Sequence, residues 1–519
     1  MAALDDSERY AFDYFMRETA AGIQLLSPDK GWVQLALQLS SQAAPVIYAI
    51  TALGCVHRAQ VTITHTSLAQ PWAPVKRETS VRQYNKAISS LQKYIDRAVA
   101  KDAPVEPVLL ASLLFVCFEV MQNKGEAALS HLQSGRQIVR EHTVFTSCRK
   151  SAQARMLSFR SREVTDQLVS TFDKLEQTFV GRDRQTRLDT LCRDARHYPL
   201  PGRIDLHRPF TSVTEARTHL NDLMNAGEQV RAELLRIAEA HVSAAYSGAL
   251  DFATRYCLAH CLTRVVSLKC HPQLESRMEK LTEDHAAWQM AFAEFQSTHT
   301  QARSPSSMLL QIQHFFSHFV LSTCRQTEER LADRFSDEYA RVLSVAEQYL
   351  REVVDLPEIN TEIQTPFGHE RQGTFSLELS ILPAINMICY KCRDPSVRRR
   401  AISLLRCANR REVLFSSWGM AAHADAVERL EELRLQDVRQ LVGRTDVGLD
   451  DDLVFSEAAR FSDVVLAPDS AGRPEALRII CGRFAHERGQ ELELTEHSGY
   501  GYPIHLEWTS RLTLPYASA

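Results

Sequence analysis

The sequence predicts a mainly α protein, a multi-helical bundle or array with a small β-rich C-terminal extension. Three observations carry that reading. Apolar residues recur at offsets of three and four along most of the 519 residues. Proline and glycine fall between those runs rather than inside them. Only beyond about residue 470 does the period change to two, as in strands.

Taken in order, helical patterns cover 8–26, 32–39 and 45–58. Between 81 and 99 the apolar residues Val81, Tyr84, Ile88, Leu91 and Ile95 form one stripe, with Arg82, Gln92, Lys93 and Asp96 outside it. Thr79 or Ser80 is the expected N-cap, since a hydroxyl there takes up a free first-turn amide. Pro104 and Pro107 introduce 108–121, which is apolar nearly all round and so belongs in the middle of a bundle. Gly125 opens the loop before the next helix, 126–141, with Leu129, Leu132, Ile138 and Val139 inward.

A further helix is expected at 154–179, and 198–209, with three prolines, is the best internal boundary. Helical patterns resume at 213–247, 251–269, 272–296 and 306–354. Pro357, Pro366, Gly368 and Gly373 mark a break, after which helices return at 375–390, 396–407 and 418–433. No fixed-period repeat emerges, so a solenoid is not indicated. In the tail, Leu477, Ile479 and Cys481 alternate, as do Leu492 with Leu494 and Ile504 with Leu506 and Trp508. These read as two or three strands, the alternative being a poorly ordered extension. The domain reading is 1–200, 210–440 and a β-containing tail at 470–512.

The totals narrow the class. Composition is ordinary and globular, 45% hydrophobic and 24% charged, and a formal net charge of -4 supplies no global field to hold DNA phosphates. The opening MAALDDSERYAFDYF has no basic flank before an apolar core, so it is not a secretory signal. The most apolar run, Leu109 to Phe118, is about half the length a membrane span needs. Twelve cysteines scattered in apolar contexts indicate reduced thiols. A soluble intracellular protein without a membrane segment is expected.

Several constellations invite chemistry, and each has a plainer reading. Cys389 and Cys392 have C-x2-C spacing, but Cys407 and His423 lie on separate helical patterns, short of a four-ligand zinc site. Cys257, His260, Cys261, Cys270 and His271 form a second group, in which 257 and 261 share a helix face; buried thiols are the preferred reading. Arg393 with Arg398, Arg399 and Arg400 suggests nuclear import or phosphate contact; in the plainer reading Asp394 and Pro395 begin a helix whose arginines are partly solvated and partly paired with acids. The arginines between 136 and 203 alternate with acids, which indicates a salt-bridged surface rather than a DNA-tracking stripe.

His57 and His131 fit core histidines with one bonded ring nitrogen. Glu119, closing an apolar helix, requires a partner because an unpaired buried carboxylate is costly. The loop Gly499 to Pro503 reads as a turn, since no helix start follows it to cradle a phosphate. No nucleophile elbow, zinc-protease helix, phosphate loop or dinucleotide fingerprint is present. The expectation is no catalytic residue, no metal and no cofactor.

Three stretches together carry a family resemblance. The first is FMRETAAGIQLLSPDKGWVQLALQLSSQAAPVIYAITALGCVHR, in which Trp32, Ala49, Ala52, Leu53, Gly54 and His57 occupy matching places. The second is YNKAISSLQKYI followed by LLASLLFVCFEVMQNKGEAALSHLQSGRQIV, and the third is KCRDPSVRRRAISLLRCANRRE. In this order, over roughly residues 10–440, they resemble the regulatory domain of fungal binuclear zinc-cluster transcription factors.

Two departures stand out. No C-x2-C-x6-C module occurs, the first cysteine being Cys55 inside an apolar run. Where the family has REGxW, this chain reads Arg411, Glu412, Val413, Leu414, Phe415, with Trp418 late. The resemblance implies a nuclear transcription regulator of a metabolic or secondary-metabolite pathway, without its own DNA-binding module. It implies protein partners, among them a zinc-cluster factor through which DNA is reached indirectly, and a small-molecule effector held between helices. A cytoplasmic helical interaction scaffold is the alternative, and an enzyme with an unrecognised all-helical site a third.

Overall fold

The computed structural model describes residues 4–20, 23, 31–64, 78–101, 104–122, 124–148, 168, 171–172, 175, 208–246, 250–299, 304–354, 374–376, 380–412, 415–442, 457–468, 476–485, 491–500 and 505–515. Two compact units divide the chain. The first takes residues 1–183, 365–379 and 409–419, and the second takes 184–364, 380–408 and 420–519.

The first unit opens with α1 (Asp6–Tyr14). Asp5 accepts from the Glu8 amide at 2.8 Å while Glu8 accepts from the Asp5 amide at 3.0 Å, so a capping box fixes the start. The chain continues through a π turn (Phe15–Thr19). Then come α2 (Gly31–Ser40), α3 (Ala44–Thr64), α4 (Glu78–Lys101), α5 (Glu106–Met121) and α6 (Gly125–Cys148). Every residue of α5 from Pro107 to Met121 is buried, which is the consequence of an apolar surface on all sides.

Helix α3 packs on α1, α4 and α5. At its closest approach to α1, a Cβ on Gly54 would stand 2.1 Å from the Ala11 carbonyl oxygen, so only glycine fits. Phe15, Trp32, Leu53, Leu113 and Phe118 share the core. Three short strands complete the unit: β1 (Thr374–Ser376) parallel to β2 (Arg410–Glu412), with β3 (Phe415–Ser416) antiparallel to it.

The second unit contains α7 (Val213–Ala245), α8 (Phe252–Leu262), α9 (Pro272–Thr298), α10 (Pro305–Thr323), α11 (Ser336–Val354), α12 (Leu382–Lys391) and α13 (Pro395–Ala408). Residues from Met420 onward of α14 (Ser417–Val442) also belong to it. Its β extension is an antiparallel meander of β4 (Asp463–Pro468), β5 (Ala476–Ala485), β6 (Glu491–Tyr500) and β7 (His505–Pro515), with a register shift at Glu496/His497. The fold is therefore mainly α with a small β extension, and that extension is structurally integral. Val465, Ile480, Phe484, Leu492 and Leu494 lie in one core with Leu220, Leu234, Cys257, Trp288 and Phe292.

At four places the element pattern departs from the sequence reading, each for an identifiable reason. The pattern at 251–269 ends as α-helix at Leu262, where Thr263 turns its hydroxyl to the His260 carbonyl at 2.7 Å and two 3-10 turns follow. The pattern at 306–354 is two helices, because the Glu457 carboxylate takes the amides of Glu329 and Arg330 at 2.6 and 2.8 Å and opens a new 3-10 turn (Glu329–Phe335) there. The pattern at 375–390 becomes β1 and then α12, since Pro383 suits a first helical turn and frees the upstream residues to pair with β2. The tail has four strands, β4 being too short and too uniformly apolar to show a period. The helix expected at 154–179 falls almost entirely outside the described residues, as do 501–503 of the expected turn and Ile504 of the strand expected after it. Among the described residues no single helix is long and apolar enough to cross a membrane.

Candidate functional site

The arginine-rich stretch that drew attention in the sequence lies on α12 and α13, whose start is set by Asp394. Its carboxylate accepts from the Ser396 and Val397 amides at 2.7 and 3.1 Å. The helix that follows turns Arg398 inward and leaves Arg399 exposed. Arg393 and Arg398 both reach Glu431 of α14, each at 2.7 Å, one to each carboxylate oxygen. All three side chains are less than 10% exposed. Arg400 binds Glu347 at 2.7 Å, and Arg406 pairs with Asp425. In the first unit, Arg410 is 2.7 Å from Glu412 with both side chains fully buried, and Arg411 donates to the Val120 carbonyl at 2.8 Å. The cationic run is thus consumed by intramolecular partners. Arg399, which reaches only its own helix at the Pro395 carbonyl, is exposed.

Beside this stretch sits a buried polar node. Glu329 accepts from Arg264 at 2.5 Å and from Lys391 at 2.6 Å, and Arg264 also donates to the carbonyls of Gln326 and Ser462 at 2.7 Å. Burial pushes Glu329 up, but Lys391 and Arg264 outweigh it and hold the carboxyl below its ordinary value. Burial likewise pulls Lys391 down. Arg264, Phe319, Thr323, Gln326, Glu329 and Lys391 line a cavity of 10 Å³. That is room for about one water molecule, so the node is a packed polar cluster rather than a ligand pocket.

The sequence grouped Cys257, His260, Cys261, Cys270 and His271, and the structure separates them. The thiols of Cys257 and Cys261 lie against β5, where Cys257 points its sulfur to the Ile480 carbonyl at 3.8 Å. Cys481 of β5 is buried as well, but it neighbours Gly482, whose side-chain position the Cys261 sulfur fills, so the alternation of the strand turns it to the other face. Contact with Cys261, and burial after it, raises the Cys257 thiol well above its usual range. His260 instead faces Asp463 of β4 at 3.0 Å; Cys270 is exposed, and His271 precedes α9. Cys389 and Cys392 are buried, with burial raising both thiols, and His423 bonds Tyr390 rather than either of them. Buried thiols of this kind are protonated and unreactive.

In the first unit His57 Nδ1 is 2.8 Å from the Thr19 hydroxyl, and His131 Nε2 is 2.7 Å from the Tyr84 hydroxyl. Tyr84 stacks on Phe118 at 4.2 Å, and its hydroxyl is raised first by burial and then by Glu119. Glu119 has Lys124 at 3.9 Å. The residues sequence reasoning missed are the acceptors: Glu329, Glu347, Asp425, Glu431 and Asp463. Each lies far along the chain from the cation it holds, so no motif links them.

A shared-profile comparison decides the family. The profile of the fungal specific transcription factor domain matches residues 10–325, more than half of the chain. The chain belongs to that family. It is similar to the Aspercryptin biosynthesis cluster-specific transcription regulator atnN of Emericella nidulans, with 23% identity over 485 residues, covering 80% of this chain and 71% of that protein. No solved structure matches. This member of the fungal specific transcription factor domain family is therefore a transcription regulator. Its matched region runs through α10 and stops before α11–α14 and the β4–β7 sheet.

Proposed function

We propose that this regulator controls a secondary-metabolite gene cluster in the nucleus and reaches DNA through a protein partner, a zinc-cluster factor. The observation that carries this is the engagement of Arg393, Arg398, Arg400 and Arg406 with Glu431, Glu347 and Asp425. Cations neutralised inside a fold release no counterions from DNA, and counterion release drives phosphate binding. The net charge of -4 supports the same reading. The likeness to a cluster-specific regulator supports the pathway assignment.

The test is chromatin immunoprecipitation of the tagged chain, with co-purified proteins sequenced from the same cells. Promoter occupancy that disappears when a co-purified six-cysteine factor is deleted is the expected result. Sequence-specific binding by the purified chain alone at physiological salt overturns the indirect route. Cytosolic retention with no promoter occupancy favours the scaffold alternative.

A further inference from the structure

Three histidines meet inside the second unit where α9 packs on α10. His285 comes from α9, and His314 and His318 come from α10. The ring centroids of His285 and His314 are 5.2 Å apart, and His318 lies 6.0 Å from each. His314 stacks on Trp288 at 4.6 Å, and Trp288 donates its indole N–H to the Ala216 carbonyl of α7. His285 is fully buried and His314 nearly so.

The hydrogen bonds assign the protons. His314 Nε2 is 3.1 Å from the His285 carbonyl, which can only accept, so Nε2 carries the hydrogen. His285 Nε2 is 3.3 Å from the Ser317 hydroxyl, and its Nδ1 is buried with no hydrogen-bond partner. A neutral ring tolerates that, because an unpaired lone pair is cheaper than an unpaired N–H. An imidazolium does not, because both nitrogens then carry hydrogens and one of them faces no acceptor.

The surrounding charges give little relief. The turn before α11 brings Arg334 and α11 brings Arg341, both of which oppose a proton on this group. Glu338 of α11 favours one, but it acts on His318, the outermost ring. From α7 the contacts are the Ala216 carbonyl and, through Phe210, the ring of His219. Stacking on Trp288 favours a cationic His314, and the other two rings oppose it.

We propose that these three rings form an acid-sensitive latch, in which neutral imidazoles close α9 on α10 and proton uptake opens that junction. Burial, the largest cause for each ring, pulls His285 down to about 4 and His314 to about 3, against about 6.5 in an unfolded chain. Above pH ~6.5 both states are neutral and the latch has no pH dependence. Below it the opened state gains protons that the closed state does not, so opening becomes easier until about pH 3, the lower of the two values.

The experiment is hydrogen exchange on the full chain from about pH 7.5 to about pH 5, corrected for intrinsic exchange. Protection over α9 and α10 is expected to fall by about tenfold or more for each buried ring, while α3 and α5 are unchanged. In a His285→Leu/His314→Phe variant the local fall should disappear. A fall spread evenly over both units, or one that persists in the variant, overturns the proposal. Should the variant fail to fold, ring-proton titration of the wild-type chain decides: three histidines titrating together near their ordinary value would equally overturn it.

Discussion

The Cys261 sulfur occupies the space that a side chain at Gly482 would need. A Cβ there would stand 2.5 Å from that sulfur and 3.4 Å from the Cys257 sulfur, so helix α8 and strand β5 meet at glycine. Gly482→Ala is expected to lower stability by about 1–3 kcal/mol, as overpacking of a filled core does. Cys261→Ala added to it should recover most of the loss. Urea midpoints of the two variants check this; a fully additive double variant would deny the contact.

Glu431 carries two guanidinium groups on one buried carboxylate. Glu431→Gln leaves Arg393 and Arg398 sharing a neutral amide inside the protein. Breaking a buried charged group of this kind costs about 3–5 kcal/mol. A melt of the second unit far below that of the wild type is expected, whereas Arg399→Ala, at an exposed position, should shift it by no more than about 0.5 kcal/mol.

Trp288 is 1% exposed and gives its indole hydrogen to the Ala216 carbonyl at 3.0 Å. Trp288→Phe keeps an aromatic ring but removes the donor. The expected loss is about 1–3 kcal/mol, for a buried carbonyl left without its partner together with some lost volume. Thermal unfolding measured with a probe in the second unit reads it directly.

Asp251 caps α8 and also binds Arg478 of β5. Burial pushes its carboxyl up, but Arg478, Thr254 and the first-turn amide of Thr254 outweigh it and set the value at about 2. Its contribution is complete above the ordinary value of about 3.8 and is lost as pH falls through about 2. Asp251→Asn should therefore flatten the acid limb of the stability curve below about pH 4, with little change between about pH 6 and about pH 7 beyond a constant offset. Equal slopes in both proteins would remove Asp251 from the acid response.

Ending the chain before β4 removes Val465, Ile480, Phe484, Leu492 and Leu494 from a core they share with α7–α9. It also strands the Arg264 and Lys391 donors that end on Ser462. A chain stopped at residue 456 is expected to lose cooperative melting of its second unit while the first unit still melts.

Helix α5 was legible because it is apolar on every side, and α4 because Tyr84, Ile88 and Leu91 repeat at helical spacing. The family was legible from three ordered stretches. The break at Glu329 was not, because the Glu457 carboxylate that fixes it lies more than a hundred residues away; the break at Thr263 turns on one hydroxyl bond to the His260 carbonyl, which leaves no mark in the apolar period. Local periodicity records which side of a helix is buried. It does not record which distant acid meets which arginine.

The bond from Arg411 to the Val120 carbonyl joins groups 291 residues apart within the first unit. On a ribosome adding about 5–20 residues per second, α5 would wait about 15–60 s for the strand that supplies Arg411. During that interval the C-terminal end of α5 lacks a donor it holds in the finished protein, and most of the second unit is being made. The first unit is thus begun first yet stays open until its last segment, 409–419, is made, so its completion falls between two stretches of the second unit.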